Sequence, residues 1–286
     1  MSCAECFKGV AHDGKPAGTE DKIHGLRTYI AHPLAGPTSP STIIFVTDAF
    51  GFNLLNSKLL ADEYAAKTGC RVLVPDVIPG GGVPLNSLEL MECVSSSVGW
   101  FDILGQARRI IALAQMMTTF GSFALRTRGV FPTILAYTRA VKAELPTGSK
   151  LGVAGFCWGA MHTTKLSCEP DVEGASMSPL VDAHFAAHPS GLKVPDDFVK
   201  AVETFGVPLS IAVGDRDMLL SKDTVLDLET KLKQSSGGNQ PCFEVVLYPD
   251  CGHGFAVRAD QRKTSENEAA VKASQQAIDW FRKHLS

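Results

Sequence analysis

Leu151-Gly-Val-Ala-Gly155-Phe-Cys157-Trp-Gly159 is the stretch on which the reading of the fold turns. Leu151–Ala154 is a short apolar run suited to a strand buried on both faces, and a helical pattern begins at Ala160. Between them, Gly155-Phe-Cys157-Trp-Gly159 has the spacing of the nucleophile elbow G-x-S-x-G, with cysteine in the serine's place. In that strand-to-helix turn the central side chain stands out above the sheet, and backbone crowding demands small flanking residues. The helix N-terminus beneath it favours a thiolate, the reactive form of a cysteine. A free cysteine is most often a small buried hydrophobe. Strand, turn and helix in the correct order argue against that here.

Outward from the elbow, candidate strands alternate with candidate helices. Leu26-Arg-Thr-Tyr-Ile-Ala-His32 alternates like an edge strand and ends at Pro33, and Gly36-Pro-Thr-Ser-Pro-Ser41 reads as a turn. Thr42–Val46 and Arg71–Val74 are continuous buried-strand runs with a helix pattern, Ser57–Lys67, between them. Pro132–Glu144 reads as a helix with proline in its first turn. Strands at Val181–Ala187, Pro208–Val213 and Phe243–Leu247 follow, with helices at Thr224–Lys233 and Glu266–His284. This rhythm predicts an α/β fold, a mostly parallel sheet covered by helices on both faces. Residues 1–25 show no clear periodicity, and no repeat or Gly/Pro/Ser-rich linker divides the chain, so one domain over residues 1–286 is expected.

Ser87–Arg128 breaks the rhythm as a helical insertion, with Ile103–Met117 helical and apolar over much of its surface. Met116, Met117, Phe120 and Phe123 lie on or just after that helix. Such a stripe is ordinarily core or a dimer contact. The sharper alternative is a deformable wall over the site, since methionine and phenylalanine adapt to bulky apolar ligands.

Two further segments complete a chemical constellation. Val213-Gly-Asp215-Arg-Asp217 closes a buried strand, and Cys251-Gly-His253-Gly-Phe255 follows the last strand in a glycine-rich loop. The order nucleophile, acid, histidine is that of hydrolases built on the elbow. A histidine there serves as base, and an aspartate fixes its tautomer. The residues alone leave Asp215 and Asp217 both open.

The chain's 286 residues contain 45% hydrophobic and 20% charged side chains, with a formal charge of −3 from 30 acidic and 27 basic groups. That is an ordinary globular balance with enough apolar surface for a sizeable core. No cluster of Lys or Arg marks a nucleic-acid binder. The N-terminal residues carry no signal-peptide pattern and no apolar run is long enough to span a bilayer, so the expected setting is cytoplasmic, with no membrane partner. The eight cysteines are expected to be mostly reduced and buried. Cys3-x-x-Cys6 has metal or redox spacing but lacks a second pair, and Gly80-Gly-Gly82 lacks the spacing of a dinucleotide loop. No metal and no cofactor are expected.

The combination of motifs resembles the dienelactone hydrolase family, particularly its eukaryotic members, from about Gly25 to the C-terminus except the middle of the insertion. The family's G-x-C-x-G-G elbow matches Gly155–Gly159, with Ala160 where a further glycine is common. Its G-x-x-D motif matches Gly214-Asp-Arg-Asp217 and selects Asp217, and its H-G/S-F motif matches His253-Gly-Phe255. An acidic residue before F-G matches Asp48-Ala-Phe50-Gly51, although glutamate is usual there, and Ala187-His188-Pro-Ser190 matches another recurring stretch.

The resemblance implies an α/β-hydrolase fold and acyl transfer through a thioester. Cys157 would attack an ester or lactone carbonyl, and His253, held by Asp217, would move the protons. Backbone N–H groups of Ala49 and Trp158 would form the oxyanion hole. Asp48 would contact the thiol and govern when the thiolate forms. In bacterial members two arginines grip a substrate carboxylate. Arg258 is placed to be one, and the other has no counterpart between Pro75 and Gly105. A half-lost clamp beside an apolar insertion points to an apolar or aromatic small-molecule ester or lactone. The same site used for cyclisation, isomerisation or product release, and a fold kept for binding alone, are the alternatives. A homodimer through the insertion is a further possibility.

Overall fold

Runs of apolar residues that need shielding on both sides organise the sheet, and in the computed structural model they form its centre. The structure describes residues 14–33, 39–95, 98–174, 178–235, 242–260 and 263–286. The Cys3-x-x-Cys6 pair and part of the turn at 36–41 lie outside them. The strands are β1 (Thr19–Ile23), β2 (Leu26–Ala31), β3 (Thr42–Val46), β4 (Arg71–Pro75), β5 (Leu151–Phe156), β6 (Ala183–Ala187), β7 (Leu209–Gly214) and β8 (Phe243–Tyr248). They form one sheet in the order β1-β2-β4-β3-β5-β6-β7-β8. β1 and β2 pair antiparallel, β2 joins β4 antiparallel, and every other pairing is parallel. All residues of β3, β5, β6 and β7 are buried, as parallel strands between two helix layers must be.

The helices are α1 (Leu55–Thr68), α2 (Ser87–Ser95), α3 (Ile103–Thr127), α4 (Phe131–Ala143), α5 (Trp158–Leu166), α6 (Asp196–Phe205), α7 (Lys222–Ser235), the short α8 (Phe255–Arg258) and α9 (Thr264–Leu285). α1 and α9 pack together on one face of the sheet, while α4–α5, α5–α6 and α6–α7 are neighbours on the other. α9 is tied down by a buried polar chain: Tyr248 donates to Gln276 Oε1 at 2.8 Å, and Gln276 Nε2 donates to Ser210 Oγ at 2.9 Å. No helix among the described residues is long and apolar enough to cross a membrane.

Three expectations are corrected. Leu26–Ala31 is not an edge strand, because Thr19–Ile23 pairs outside it from Thr19 opposite Ile30 to Ile23 opposite Leu26. The outer strand, Thr-Glu-Asp-Lys-Ile, is almost wholly solvent-exposed, so it has no apolar alternation to betray it. The insertion helix continues to Thr127, ten residues beyond Met117, and carries all four Met and Phe residues. Helix α6 was not anticipated, although Phe198 and Ala201 give it a buried side.

Phe281 of α9 is fully buried, its ring centre 6.3 Å from that of Tyr64 and its edge against Gly152 of β5. Gly152 is what lets the helix approach, since a Cβ there would fall 2.9 Å from the Phe281 ring. Phe281→Ala should therefore cost about 3–5 kcal/mol. Urea denaturation would show a lower midpoint at an unchanged slope. A loss below about 1 kcal/mol would contradict this packing, because a surface substitution costs that little.

Candidate active site

The elbow forms because two glycines allow β3, β5 and α5 to close on one another. A Cβ on Gly155 would sit 2.1 Å from Thr163 Oγ1, and one on Gly159 would sit 2.2 Å from the Val46 carbonyl oxygen. Between them Cys157 takes φ 51° and ψ −116°, a conformation costly for any residue with a Cβ. The segment after β6 pins it there. Cys157 N donates to the Ala187 carbonyl at 3.1 Å, and Ser190 N donates to the Cys157 carbonyl at 3.2 Å. The thiol thus stands at the carboxyl end of β5, at the first turn of α5.

His253 reaches it from the loop after β8. Its Nε2 lies 3.1 Å from Cys157 Sγ, and its Nδ1 lies 2.9 Å and 3.1 Å from the two oxygens of Asp217. Asp217 turns inward because its backbone N–H closes a turn onto Gly214, and its Oδ1 accepts a further hydrogen bond from Leu219 N at 2.9 Å. Asp217 and His253 are both buried, whereas Asp215 sits half-buried two residues earlier. Sγ also has a second polar neighbour, Ser190 Oγ at 3.4 Å.

Burial works against charge on the Cys157 thiol, and so does nearby Asp48. The positive charge and hydrogen bond of His253, with help from Ser190, outweigh both, and the pKa falls below the usual thiol value. For His253, burial works against the cation. The Cys157 thiolate charge and the Asp217 hydrogen bond overcome it and raise its pKa to about 10. The two opposite directions have one cause, since each group favours the charged form of the other.

Asp48 does not face the thiol alone. Its Oδ2 accepts from Arg258 Nε at 2.9 Å, and its Oδ1 accepts from Phe50 N at 3.0 Å. Arg258 is buried, with its guanidinium 4.8 Å from the centre of the Phe50 ring. Its Nη1 has no hydrogen-bond partner among the described residues. His188 is fully buried, its ring edge-on to His253 at 5.1 Å. Burial, and next the positive charges of His253 and Arg258, push its pKa well below the ordinary value, so it stays neutral.

These groups open on a cavity of about 290 Å³. Asp48, Ala49, Cys157, Trp158, His253 and Arg258 are on its wall, together with Phe50 and Ser190. Met91, Met116, Phe120, Phe123, Met218 and Leu219 complete it, so most of the lining is apolar. Phe123 meets Trp158 edge-on, with ring centres 5.6 Å apart. Met117 does not reach the cavity. One step along a helix turns a side chain by about 100°, and Met117 points outward with 70% of its surface exposed. Sequence reasoning missed Met91, Met218 and Leu219 and gave Ser190 no role. Met218 and Leu219 follow Asp217 directly, and that adjacency was the available signal.

A mostly parallel eight-stranded sheet between helices, with a strand–elbow–helix at its centre, defines an α/β-hydrolase. A dienelactone hydrolase family model matches residues 26–285. The chain belongs to the dienelactone hydrolase family and is a carboxylic ester or lactone hydrolase. Hydrolase pyvD of Aspergillus violaceofuscus is 28% identical over 98% of this chain and 96% of its own. Hydrolase tropI of Talaromyces stipitatus is 25% identical over 100% and 96%. A putative dienelactone hydrolase from Klebsiella pneumoniae shares the fold with a TM-score of 0.63 at 19% identity, covering 94% of this chain and 98% of that one.

A thiolate held by an imidazolium alkylates differently from a free thiol. Iodoacetamide should modify Cys157 with an inflection at lower pH than that of a free thiol, the rate falling on acidification as the thiolate takes up a proton. An ordinary cysteine is still gaining rate up to about pH 8.5. His253→Ala should move the Cys157 inflection upward by removing the cation. A wild-type profile indistinguishable from that of a free cysteine would contradict the ion pair.

Proposed function

We propose that the enzyme cleaves an apolar or aromatic ester or lactone through a thioester on Cys157. The observation that carries the proposal is the continuous Asp217–His253–Cys157 chain of contacts opening on an apolar cavity. The Cys157 thiolate attacks the carbonyl carbon. The carbonyl oxygen takes the negative charge, facing the backbone N–H groups of Ala49 and Trp158. Collapse breaks the acyl–oxygen bond, and the imidazolium of His253 gives its proton to the departing alkoxide. Neutral His253 then takes a proton from water as the hydroxide adds to the thioester, and the second collapse releases the acid and restores the thiolate. Asp217 keeps Nδ1 protonated and the ring aimed at sulfur throughout.

Ser190 and Asp48 act around this core. The Ser190 hydroxyl, 3.4 Å from Sγ, supports the thiolate as a second donor. Asp48 holds Arg258 and ties down the loop carrying Ala49, and its negative charge opposes the thiolate. Arg258 brings a permanent positive charge to a mostly apolar wall, which suits an oxygen-bearing substituent on a largely hydrocarbon substrate. The same lining favours a second reading, in which the acyl group passes to a nucleophile within the substrate rather than to water, as in cyclisation.

The substrate class is tested on the wall. Met116→Ala, Phe120→Ala and Phe123→Ala should each reduce kcat/KM for a bulky aromatic ester about 10- to 100-fold, with much smaller losses for an acetate ester. Met117→Ala, outside the cavity, should discriminate between neither. Equal losses on both esters, or an effect of Met117 matching that of Met116, would overturn the apolar-pocket reading.

A further inference from the structure

Helix α3 has two apolar faces. Met116, Phe120 and Phe123 on the inner face pack against the core and line the cavity, and Ala112 is buried. The opposite stripe is Ile103, Ala107, Ile110, Ala114, Met117 and Gly121, in alternating steps of four and three residues. All six are exposed, and none is charged. A helix apolar on both sides belongs in an interior, so this outward face lacks its cover. Trp100 and Phe101, 87% and 91% exposed just before the helix, and Leu104, Ile111 and Leu125 extend the same surface.

What covers it is written in the stripe. Bulky and small residues alternate: Ile, Ala, Ile, Ala, Met, Gly. An antiparallel copy of the helix, related by a two-fold axis level with Ala112, sets Ile103 opposite Gly121, Ala107 opposite Met117 and Ile110 opposite Ala114. Each bulky side chain then meets a small one, the self-complementarity that an isologous contact requires. Gly121 has open space where a Cβ would stand, ready to receive a side chain. At the usual aromatic and aliphatic side-chain areas the surface amounts to roughly 700 Å² per copy, close to the ~800 Å² that a standard interface takes from each partner. A helix made to lie in a lipid surface would gain from bulky apolar groups throughout and has no use for the small ones.

We propose that α3 pairs antiparallel with α3 of a second copy, giving a two-fold dimer whose interface backs the substrate cavities of both subunits. Light scattering on the eluting protein at micromolar concentration should give twice the 30.5 kDa chain mass. Ile110→Glu and Ala114→Glu should each halve it while leaving the thermal melt of the subunit in place. Because a charge variant could fail to fold, a double variant, Ile110→Cys with Ala114→Cys, gives an independent reading. Mild oxidation should join residue 110 of one copy to residue 114 of the other in peptide maps, whereas Arg108→Cys, off the stripe, should not crosslink. A monomeric wild type, a dimer indifferent to both glutamates, or a monomer that sediments with anionic phospholipid vesicles would overturn the proposal. Activity is not the readout, so the result is independent of the reading of Cys157.

Discussion

The left-handed backbone of Cys157 is the constraint on which the rest of the site depends. A side chain in that region costs of order 1–3 kcal/mol and persists only where its surroundings over-determine it. Here they do so from three directions. Gly155 admits Thr163 and Ala160 from the helix side, Gly159 admits the Val46 carbonyl of β3, and the Ala187–Ser190 segment clamps the cysteine's own N–H and C=O. The packing that closes the sheet against α5 is therefore the packing that lifts the sulfur into the cavity. Once it is lifted, the loops leaving β7 and β8 bring Asp217 and His253 to it from the same carboxyl edge.

The electrostatics follow from that placement. A thiol buried among Phe50, Trp158 and Phe123 would ordinarily resist ionisation, and Asp48 adds to the resistance. The imidazolium at 3.1 Å reverses the balance, and the paired carboxylate keeps the ring charged. His188, against the outer side of that ring, contributes by staying neutral, since a second cation there would weaken the pair. Arg258, also on the cavity wall, is already engaged by Asp48.

Much of this was legible in the chain because burial leaves a plain mark. β3, β5 and β7 are apolar at nearly every position, and the elbow's glycines sit where the backbone leaves no room. β1 was invisible because both its faces meet solvent and only its backbone pairs. Asp215 and Asp217 could not be told apart by residue reading, since the difference is one turn closing on Gly214; only the family motif separated them. Met116 and Met117 looked equivalent for a similar reason: adjacent letters lie on different sides of a helix, and the register became visible only once α3 was seen to run to Thr127. The two readings of the insertion, cavity wall and dimer contact, belong to its two faces.

The proposed chemistry requires that sulfur, and this sulfur, carries the acyl group. Mass spectrometry of enzyme acid-quenched during turnover of an aromatic ester measures that directly. A mass increase equal to the acyl group is expected on the peptide containing Cys157, labile to hydroxylamine as a thioester is, and absent from Cys157→Ser. An acyl group found on another residue, with Cys157 unmodified while turnover proceeds, would contradict it.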